Sequence, residues 1–463
     1  MSKFRLWATT LLVALCTGFY SCGGDESEVV SNEGGNSIIT GTTVKIDMKQ
    51  AGSLSTLISD DVKYKITDLT ITGDINGDDI RFIREMAGAD VNGDETEGCL
   101  SKLNLKDANT IASGNAYYAS KGFSYHSKKN IISSYMFTGC NNLTAIIFPE
   151  STTIIEESIF SSYDRSVCNP NLTSIVIGSK VTTIQHGAFA STGISTITIP
   201  DNVTSIEGSV FNGCTKLKNI TISNNITELS DYIFSGCIEL TNITIPNNII
   251  SIGTGVFSGC TKLKNIIIPD NVISIGGSAF DKCTGLEVVT IGSGVQFLGS
   301  KFQEIDDTFR KCNSLKEFIV SASNPYYTTI DGVLFTKDKT ILLAYPDSKS
   351  TSYIVPDGVT QIGSIYDDSS THIYSFTPFN NSSIMSITLP NSIKSINNGF
   401  IFCSNLKEVH MQSEMPPLLS YNQRFQFQGI NSNCILFVPK GTLDIYRDSD
   451  MWRRVHFKDK VEE

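Results

Sequence analysis

A short block of alternating apolar and polar residues recurs at a fixed spacing in the middle of the chain. Residues 217–222 read Leu-Lys-Asn-Ile-Thr-Ile, and similar blocks follow at intervals of 23 residues, at 240–245, 263–268 and 286–291. In an extended strand the two Ile side chains face one way and the Thr side chain faces the other. The pattern therefore predicts one short strand per repeat, with one buried face and one exposed face.

Each repeat carries two further apolar elements. A Val-x-x-Ile type segment follows the strand, and a Phe-x-x-Cys pair precedes the next one, at Phe211/Cys214, Phe234/Cys237, Phe257/Cys260 and Phe280/Cys283. Looser copies extend the pattern in both directions. Because one such coil cannot hide its apolar side chains from water, neighbouring coils must stack. We expect a solenoid of about eleven coils, on the order of 50 Å long at a strand spacing of ~4.8 Å.

Insertions interrupt the period at residues 161–169, 301–307 and 363–377. In a stacked array such insertions are expected to leave the coils as loops on one side.

The repeat reads Leu-x-x-Ile-x-Ile-Pro-x-x-Val-x-x-Ile-x-x-x-x-Phe-x-x-Cys and resembles bacterial leucine-rich repeats of the BspA-like type. It lacks the asparagine ladder of animal leucine-rich repeats, and residues 324–346 resemble an irregular coil often found in this family. The resemblance implies a β-rich α/β leucine-rich-repeat solenoid at residues 113–413, with N- and C-terminal caps. It also implies adhesion to host proteins or to other cells.

The two ends of the repeat array are predicted to cap it, because a solenoid must shield its terminal coils. Residues 39–112 read as strand, helix and strand, with the strands at 66–71 and 100–105 and the helix at 80–86. Asp78 or Asp79 is the expected N-cap of that helix. Residues 414–463 are expected to form a strand followed by a short helix. Both segments resemble the ends of Bacteroides members of the family.

The N-terminus is typical of an exported lipoprotein. Lys3 and Arg5 precede an apolar stretch at 6–19, and Ser21 and Gly23 flank Cys22, which resembles a lipobox. The resemblance implies a signal peptide at 1–21, diacylation of Cys22, and a flexible tether at 22–38. The acidic residues of this tether resemble a surface-export signal. The protein is thus expected to be an outer membrane lipoprotein at the cell surface, touching the membrane through its lipid anchor alone.

Two alternatives for the N-terminus stay open. Phe19 stands where the lipobox prefers Leu, so release by ordinary signal peptidase is one alternative. Retention of the apolar stretch as a membrane anchor is the other.

The net charge of −11 argues against a nucleic-acid partner, since binding to phosphates needs a basic surface. Twelve cysteines in an exported chain would suggest disulfides. Six of them occupy one corner of the repeat, which predicts a ladder of buried, reduced thiols, although disulfides between adjacent coils are geometrically allowed. These six are Cys140, Cys214, Cys237, Cys260, Cys283 and Cys312.

Catalytic and metal-binding motifs do not emerge from the sequence. The five His residues are scattered, so no metal and no cofactor is expected. Residues 74–85 resemble a calcium loop, but Asp79 stands where the loop needs Gly, so a helix-capping turn is favoured. Gly253-Thr-Gly255 recurs in other repeats and is therefore a turn of the repeat, not a phosphate loop. We expect a protein that is not an enzyme, with dispersed active residues as the remaining alternative.

The outward positions of the strands form the candidate ligand-binding row. Strand alternation turns these side chains away from the core, so a partner can contact them. We expect a cell-surface, lipid-anchored adhesion protein that recognises a protein ligand on host or other cells. The alternative is a structural or accessory envelope protein that binds bacterial partners or glycans; the insertion at residues 365–374 is the next candidate site. The row comprises Lys218, Asn219, Thr221, Asn242, Thr244, Lys264, Asn265, Ile267, Glu287 and Thr290.

The replacement Cys22→Ala removes the thiol to which the lipid would be attached. The variant is expected to leave the membrane fraction or to keep its signal peptide, and immunoblotting of fractionated cells measures both. Cys99→Ala is the control and should fractionate as the wild type does. A Cys22→Ala variant that is processed and still sediments with membranes would contradict the lipobox interpretation.

Overall fold

The structure is a computed structural model that describes residues 28–32, 35–40, 42–161, 168–299, 308–363, 365–366, 373–374, 377–379, 382–419 and 427–463. The predicted signal peptide, Cys22 and the larger part of the three predicted insertions lie outside the described residues. Among the described residues, no helix is long and apolar enough to cross a membrane.

The N-terminal part combines strands with three short helices. Among its parallel strands, β4 and β5 overlap the two strands expected at residues 66–71 and 100–105. The elements are β1 (Glu28–Asn32), β2 (Gly35–Thr40), β3 (Thr43–Met48), α1 (Leu54–Leu57), α2 (Asp60–Lys63), β4 (Asp68–Ile75), α3 (Gly77–Met86), β5 (Lys102–Asn104), β6 (Ala108–Thr110), β7 (Tyr118–Ser120) and β8 (Phe123–Tyr125).

The predicted N-cap of helix α3 is wrong by two or three residues, because Asn76 holds that position. Its side-chain oxygen accepts from the amides of Asp78 and Asp79 at 3.0 and 3.4 Å. The Asp79 carboxylate in turn accepts from the Asn76 amide at 3.0 Å. Together they form a reciprocal capping box. The calcium-like segment is thus a capped helix start.

The structure also differs from the predicted flexible tether. β1 pairs antiparallel with β2, and β2 pairs antiparallel with β3, so residues 28–32 and 35–38 join the N-terminal sheet. The sequence signal for this was the β-branched residues Val29, Val30, Ile38 and Ile39, which favour strands.

The repeats stack as coils that each carry a first and a second short strand. First strands pair in parallel along one side, for example β19 with β21 and β21 with β23, and second strands pair along another. The elements are β9 (Ile131–Ile132), β10 (Ala145–Ile147), β11 (Ile154–Ile155), β12 (Ser174–Val176), β13 (Thr183–Ile184), β14 (Thr196–Thr198), β15 (Ser205–Ile206), β16 (Asn219–Thr221), β17 (Glu228–Leu229), β18 (Ser251–Ile252), β19 (Asn265–Ile268), β20 (Ser274–Ile275), β21 (Val288–Ile291), β22 (Phe297–Leu298) and β23 (Glu317–Val320).

The C-terminal part begins with an antiparallel meander, β24 to β26, at the irregular coil expected for residues 324–346. A strand followed by a short helix is present at the C-terminal end, as the sequence predicts. The elements are β24 (Tyr327–Ile330), β25 (Val333–Thr336), β26 (Ile341–Ala344), β27 (Ser352–Ile354), β28 (Gln361–Gly363), β29 (Ile365–Tyr366), β30 (Ile373–Tyr374), β31 (Ser386–Leu389), β32 (Ser395–Asn397), β33 (Glu408–Met411), β34 (Leu418–Leu419), β35 (Ile435–Val438), α4 (Leu443–Asp448), a 3₁₀ helix (Trp452–Arg454) and β36 (Asp459–Glu462).

The solenoid has about 15 turns, more than the eleven expected. The difference arises at the ends, where β3, β4 and β5 continue in parallel into β10, and β35 and β36 continue the stack after β33. The role of the terminal segments as caps stays a prediction, as do the domain boundaries.

The Phe-Cys corner, which contains the Phe-x-x-Cys pairs, joins successive coils in three ways. The Phe211 amide donates to the Ile233 carbonyl at 2.9 Å, and Phe234 and Phe257 make equivalent bonds to the next coil of 3.0 and 2.8 Å. The rings of these phenylalanines stack with centroids 5.7 Å apart. The Cys237 thiol donates to the Phe211 carbonyl at 3.2 Å. The corner cysteines are therefore hydrogen-bond donors as well as small buried groups.

The turn between the first and second strands carries a ladder that the sequence pattern did not reveal. The Asn248 side-chain amide donates to the Asn224 carbonyl of the preceding coil at 2.5 Å. Asn225 and Asn271 make equivalent bonds of 2.7 Å. An asparagine ladder is thus present, at a turn of the repeat.

The first-strand sheet is interrupted at residues 240–245, although the sequence block is unchanged there. Within the described chain, neither β16 nor β19 forms a ladder with these residues. Ile220 and Ile243 are half-buried at this point, whereas the equivalent Ile266 of the next coil is buried. The hydrogen bonds of the Phe-Cys corner continue across the interruption. These coils are therefore held together mainly by the corner and the second strands.

The ten cysteines of the described residues are free thiols, and those of the corner are buried. Burial raises the pKa of Cys140 and Cys214 to about 11. Little reactive thiolate therefore forms at pH 8, and a maleimide is expected to leave the corner thiols of the native protein unlabelled. After unfolding in urea without reductant, mass spectrometry should find them labelled.

The half-buried thiols of Cys99 and Cys168 are the internal control, since they should react earlier during unfolding. Corner thiols that stay unlabelled in the unfolded, non-reduced chain would reveal disulfides and contradict the reduced ladder.

Candidate functional site

The predicted row lies on the outward side of the first strands. Along β19, Asn265 and Ile267 are exposed while Ile266 and Ile268 are buried, as strand alternation requires. Eight of the ten predicted side chains are exposed, and Glu287 and Thr290 are half-buried. The structure thus gives these residues the orientation expected from the sequence, and their part in binding stays a prediction.

The row is not continuous, because it crosses the interruption in the first-strand sheet. Asn242 and Thr244 lie in the coil that forms no ladder, so hydrogen-bonded pairing does not set their spacing to the neighbouring rows. On the far side of the interruption, Ile267, Thr290 and Ile319 stand in register. Ile267 is 68% exposed and Ile319 is 46% exposed. The row therefore contains an apolar spot that is exposed to solvent.

Charges beside this spot are paired across three coils. The Glu287 carboxylate accepts from the ammonium groups of Lys316 at 2.6 Å and Lys264 at 3.3 Å. Hydrogen bonds from Lys316 and then Lys264 lower the pKa of Glu287. The two lysines are exposed and Glu287 is only half-buried, so contact with water weakens these pairs. Their main effect is to hold one negative charge between two positive ones on the row.

A second surface, which the sequence interpretation missed, lies on the side of the second strands. It is a groove of about 870 Å³ across several coils. Three rows of equivalent residues line it. The second-strand row runs Glu228, Ser251, Ser274 and Phe297 in register. The glycine row is Gly253, Gly276 and Gly299, and the third row includes His186, Asp231 and Thr254.

The glycine row is required by close contact between coils. A Cβ atom on Gly276 would lie 2.6 Å from the carbonyl carbon of Gly253 and 2.7 Å from the amide nitrogen of Thr254. A Cβ atom on Gly253 would lie 2.9 Å from the backbone nitrogen of Asp231. Side chains are thus excluded from this row, and their absence helps to form the groove.

Tyr232 borders the groove in a backbone conformation that disfavours its side chain. Its φ is 58°, a region that glycine occupies readily and bulky residues rarely do. Glycine or serine stands at the equivalent position of neighbouring coils, as Gly255 and Ser278 show. The Tyr232 ring covers Gly255, where a Cβ atom would meet it at 2.4 Å. The ring is thereby held along the surface, with 45% of the residue exposed.

The groove carries carboxylates at one end and little charge elsewhere. The Asp231 carboxylate accepts from the Thr254 amide at 2.6 Å, and the Glu228 carboxylate accepts from the Ser230 hydroxyl at 3.1 Å. Its described lining includes no lysine and no arginine. In the described part of the chain, no group of three or more His, Cys, Asp and Glu side chains is placed to hold a metal ion.

The missed residues had one sequence signal. Glycine recurs at the same repeat position in Gly253, Gly276 and Gly299, immediately after the second strands. The sequence assigns Gly253 and Gly276 to the turn of the repeat, and the structure places both directly after a second strand, where that turn begins. The groove results from the stacking of these glycines, which a single repeat does not show.

Stacked coils with an inward Leu-x-x-Ile-x-Ile pattern define a leucine-rich-repeat solenoid. A family model described as the BspA type leucine rich repeat region matches six copies, at residues 97–192, 182–316, 239–364 and 344–428. These matches cover more than two thirds of the chain, and the chain belongs to this family. Membership indicates binding or adhesion in general, and the family is typically non-enzymatic.

Solved structures of similar fold include a leucine-rich repeat protein from Bacteroides ovatus, 20% identical, covering 96% of this chain and 100% of that chain with a TM-score of 0.45. A leucine rich cell surface protein from Faecalibacterium prausnitzii is 16% identical, with coverages of 95% and 96% and a TM-score of 0.44. The pneumococcal vaccine antigen PcpA is 15% identical, with coverages of 94% and 98% and a TM-score of 0.33. No curated protein matches the sequence.

The replacement Gly276→Ala tests whether close coil packing requires the glycine row. The added methyl group would clash with backbone atoms of the preceding coil, so the free energy of unfolding should fall by roughly 1–3 kcal/mol. Urea unfolding followed by circular dichroism measures the change. Ser274→Ala, two residues earlier, is the control and should cost much less. Equal stability of the two variants would show that the coils are not in close contact here.

Proposed function

We propose that this protein is a lipid-anchored adhesion protein of the outer membrane, exposed at the cell surface. In this proposal Cys22 carries the lipid, and the outward row of the first strands binds a protein ligand on host cells or on other cells. The observation that carries the proposal is the row itself, in which exposed side chains repeat once per coil above a buried core.

The contrast between the two sides of each first strand supports a binding role. Inward residues such as Ile266 and Ile268 build the core, whereas outward residues such as Asn265 can change at little cost to folding. An apolar spot at Ile267 and Ile319, next to the charges of Lys264, Glu287 and Lys316, has the mixed character of protein interfaces. The net charge of −11 disfavours nucleic acid as the partner.

A structural or accessory role in the envelope, with binding of bacterial partners or glycans, is the second candidate. The observation in its favour is the groove beside the second strands, which is separate from the row. An enzymatic role has less support, because the family is typically non-enzymatic.

The test is a block change of Lys218, Asn242, Lys264 and Asn265 to Glu in the full-length protein. Four added carboxylates should abolish protein binding through the row, because like charges and desolvation oppose any partner that fits the native surface. Binding is measured on immobilised host matrix proteins and on intact epithelial and bacterial cells. Circular dichroism verifies that the variant folds.

A matched control changes two lysines and two asparagines that are exposed elsewhere, namely Lys394, Lys440, Asn391 and Asn433, to Glu. The control variant should bind as the wild type does. If the folded row variant also binds as the wild type does, the row is the wrong face, and the insertion that contains β29 and β30 becomes the next site to change.

A further inference from the structure

We propose that the groove beside the second strands binds a neutral oligosaccharide. This site is separate from the protein-binding row and does not depend on it. A groove of about 870 Å³ lies within the size range of sites for small organic ligands. It is elongated along the stack, because its lining repeats from coil to coil, and this favours a short chain of similar units over a single compact molecule.

The polar groups of the groove suit a ligand that both donates and accepts hydrogen bonds. The hydroxyls of Ser251, Ser274 and Thr254 make no hydrogen bond to other described residues. Each hydroxyl can donate one hydrogen bond and accept others. The carboxylates of Glu228 and Asp231 add acceptors at one end. Sugar rings, which carry several hydroxyls per unit, match this mixture.

Aromatic rings complete the match. The Tyr232 ring lies over Gly255 with 45% of the residue exposed, and Phe297 is half-buried in the second-strand row. Both line the groove, separated along the stack by the small residues Ser251 and Ser274. A flat aromatic face packs well against the C–H face of a pyranose ring, and it loses little conformational freedom on binding.

The charge distribution selects a neutral ligand. The described lining of the groove contains no lysine and no arginine, and its histidine, His186, lies at the end that carries Glu228 and Asp231, whose carboxylates would repel a sulfate, phosphate or carboxylate. A cationic peptide is also disfavoured. The two carboxylates lie at one end of the groove, so a chain of several cationic residues would find acidic partners along only part of its length. The serine and glycine residues that line the groove beyond this end carry no charge.

The experiment titrates the full-length protein with neutral hexasaccharides of glucose, mannose, galactose and xylose by isothermal calorimetry. A detergent without sugar head groups keeps the protein in solution. At least one hexasaccharide should bind, and Tyr232→Gly should weaken that binding about tenfold or more, as expected for losing an aromatic contact. Glycine adopts the positive φ of position 232 without strain. Tyr232→Asn is a second variant, because asparagine also adopts a positive φ more readily than most residues.

Tyr326→Ala removes another exposed tyrosine, outside the groove, and should bind the hexasaccharide as the wild type does. The block variant of the protein-binding row should also bind it normally, so the two sites are tested independently. The proposal is overturned if no hexasaccharide binds at millimolar concentration, or if Tyr232→Gly and Tyr232→Asn bind it unchanged. Binding of a hexalysine peptide alone would also overturn it and identify the groove as a site for cationic segments.

Discussion

The core of the repeats forms between coils, because apolar side chains of one coil pack against those of the next. The phenylalanines of the Phe-Cys corner show this most directly, with rings of Phe211, Phe234 and Phe257 stacked at 5.7 Å. Thiols and turn asparagines add hydrogen bonds over the same interval. The stacking of the buried side chains therefore sets the spacing of every exposed row. Both candidate binding surfaces depend on this spacing.

The sequence predicts the buried columns well because each position repeats. A single copy of Leu-x-x-Ile-x-Ile does not distinguish a strand from a helix. Several copies in register require stacked strands. The structure agrees, since Ile266 is buried and Ile267 is exposed. The start of helix α3 was harder to predict, because Asn76 and Asp79 are both good capping residues and a reciprocal pair uses both. The strand pairing of β1 and β2 was hidden by the polar composition around it.

The groove could not be predicted in the same way. Its shape results from glycines at the same position of three successive coils, and from one tyrosine whose ring lies over the next coil. These residues are far apart in the chain, and each one alone looks like an ordinary turn residue. The row differs, since outward positions of a strand are evident within a single repeat. Hydrogen-bonded side chains beside the groove, such as Asp231, also depend on the coil that follows.

The 23-residue interval between equivalent positions of the central repeats has a consequence for how the length of the chain can change. Loss or duplication of one whole interval returns every later coil to an equivalent neighbour, so the columns of Phe234 and Cys237 simply become shorter or longer. A change of any other length shifts apolar positions out of register and exposes them. The length of the central solenoid can therefore change by whole coils without any change in its cross-section.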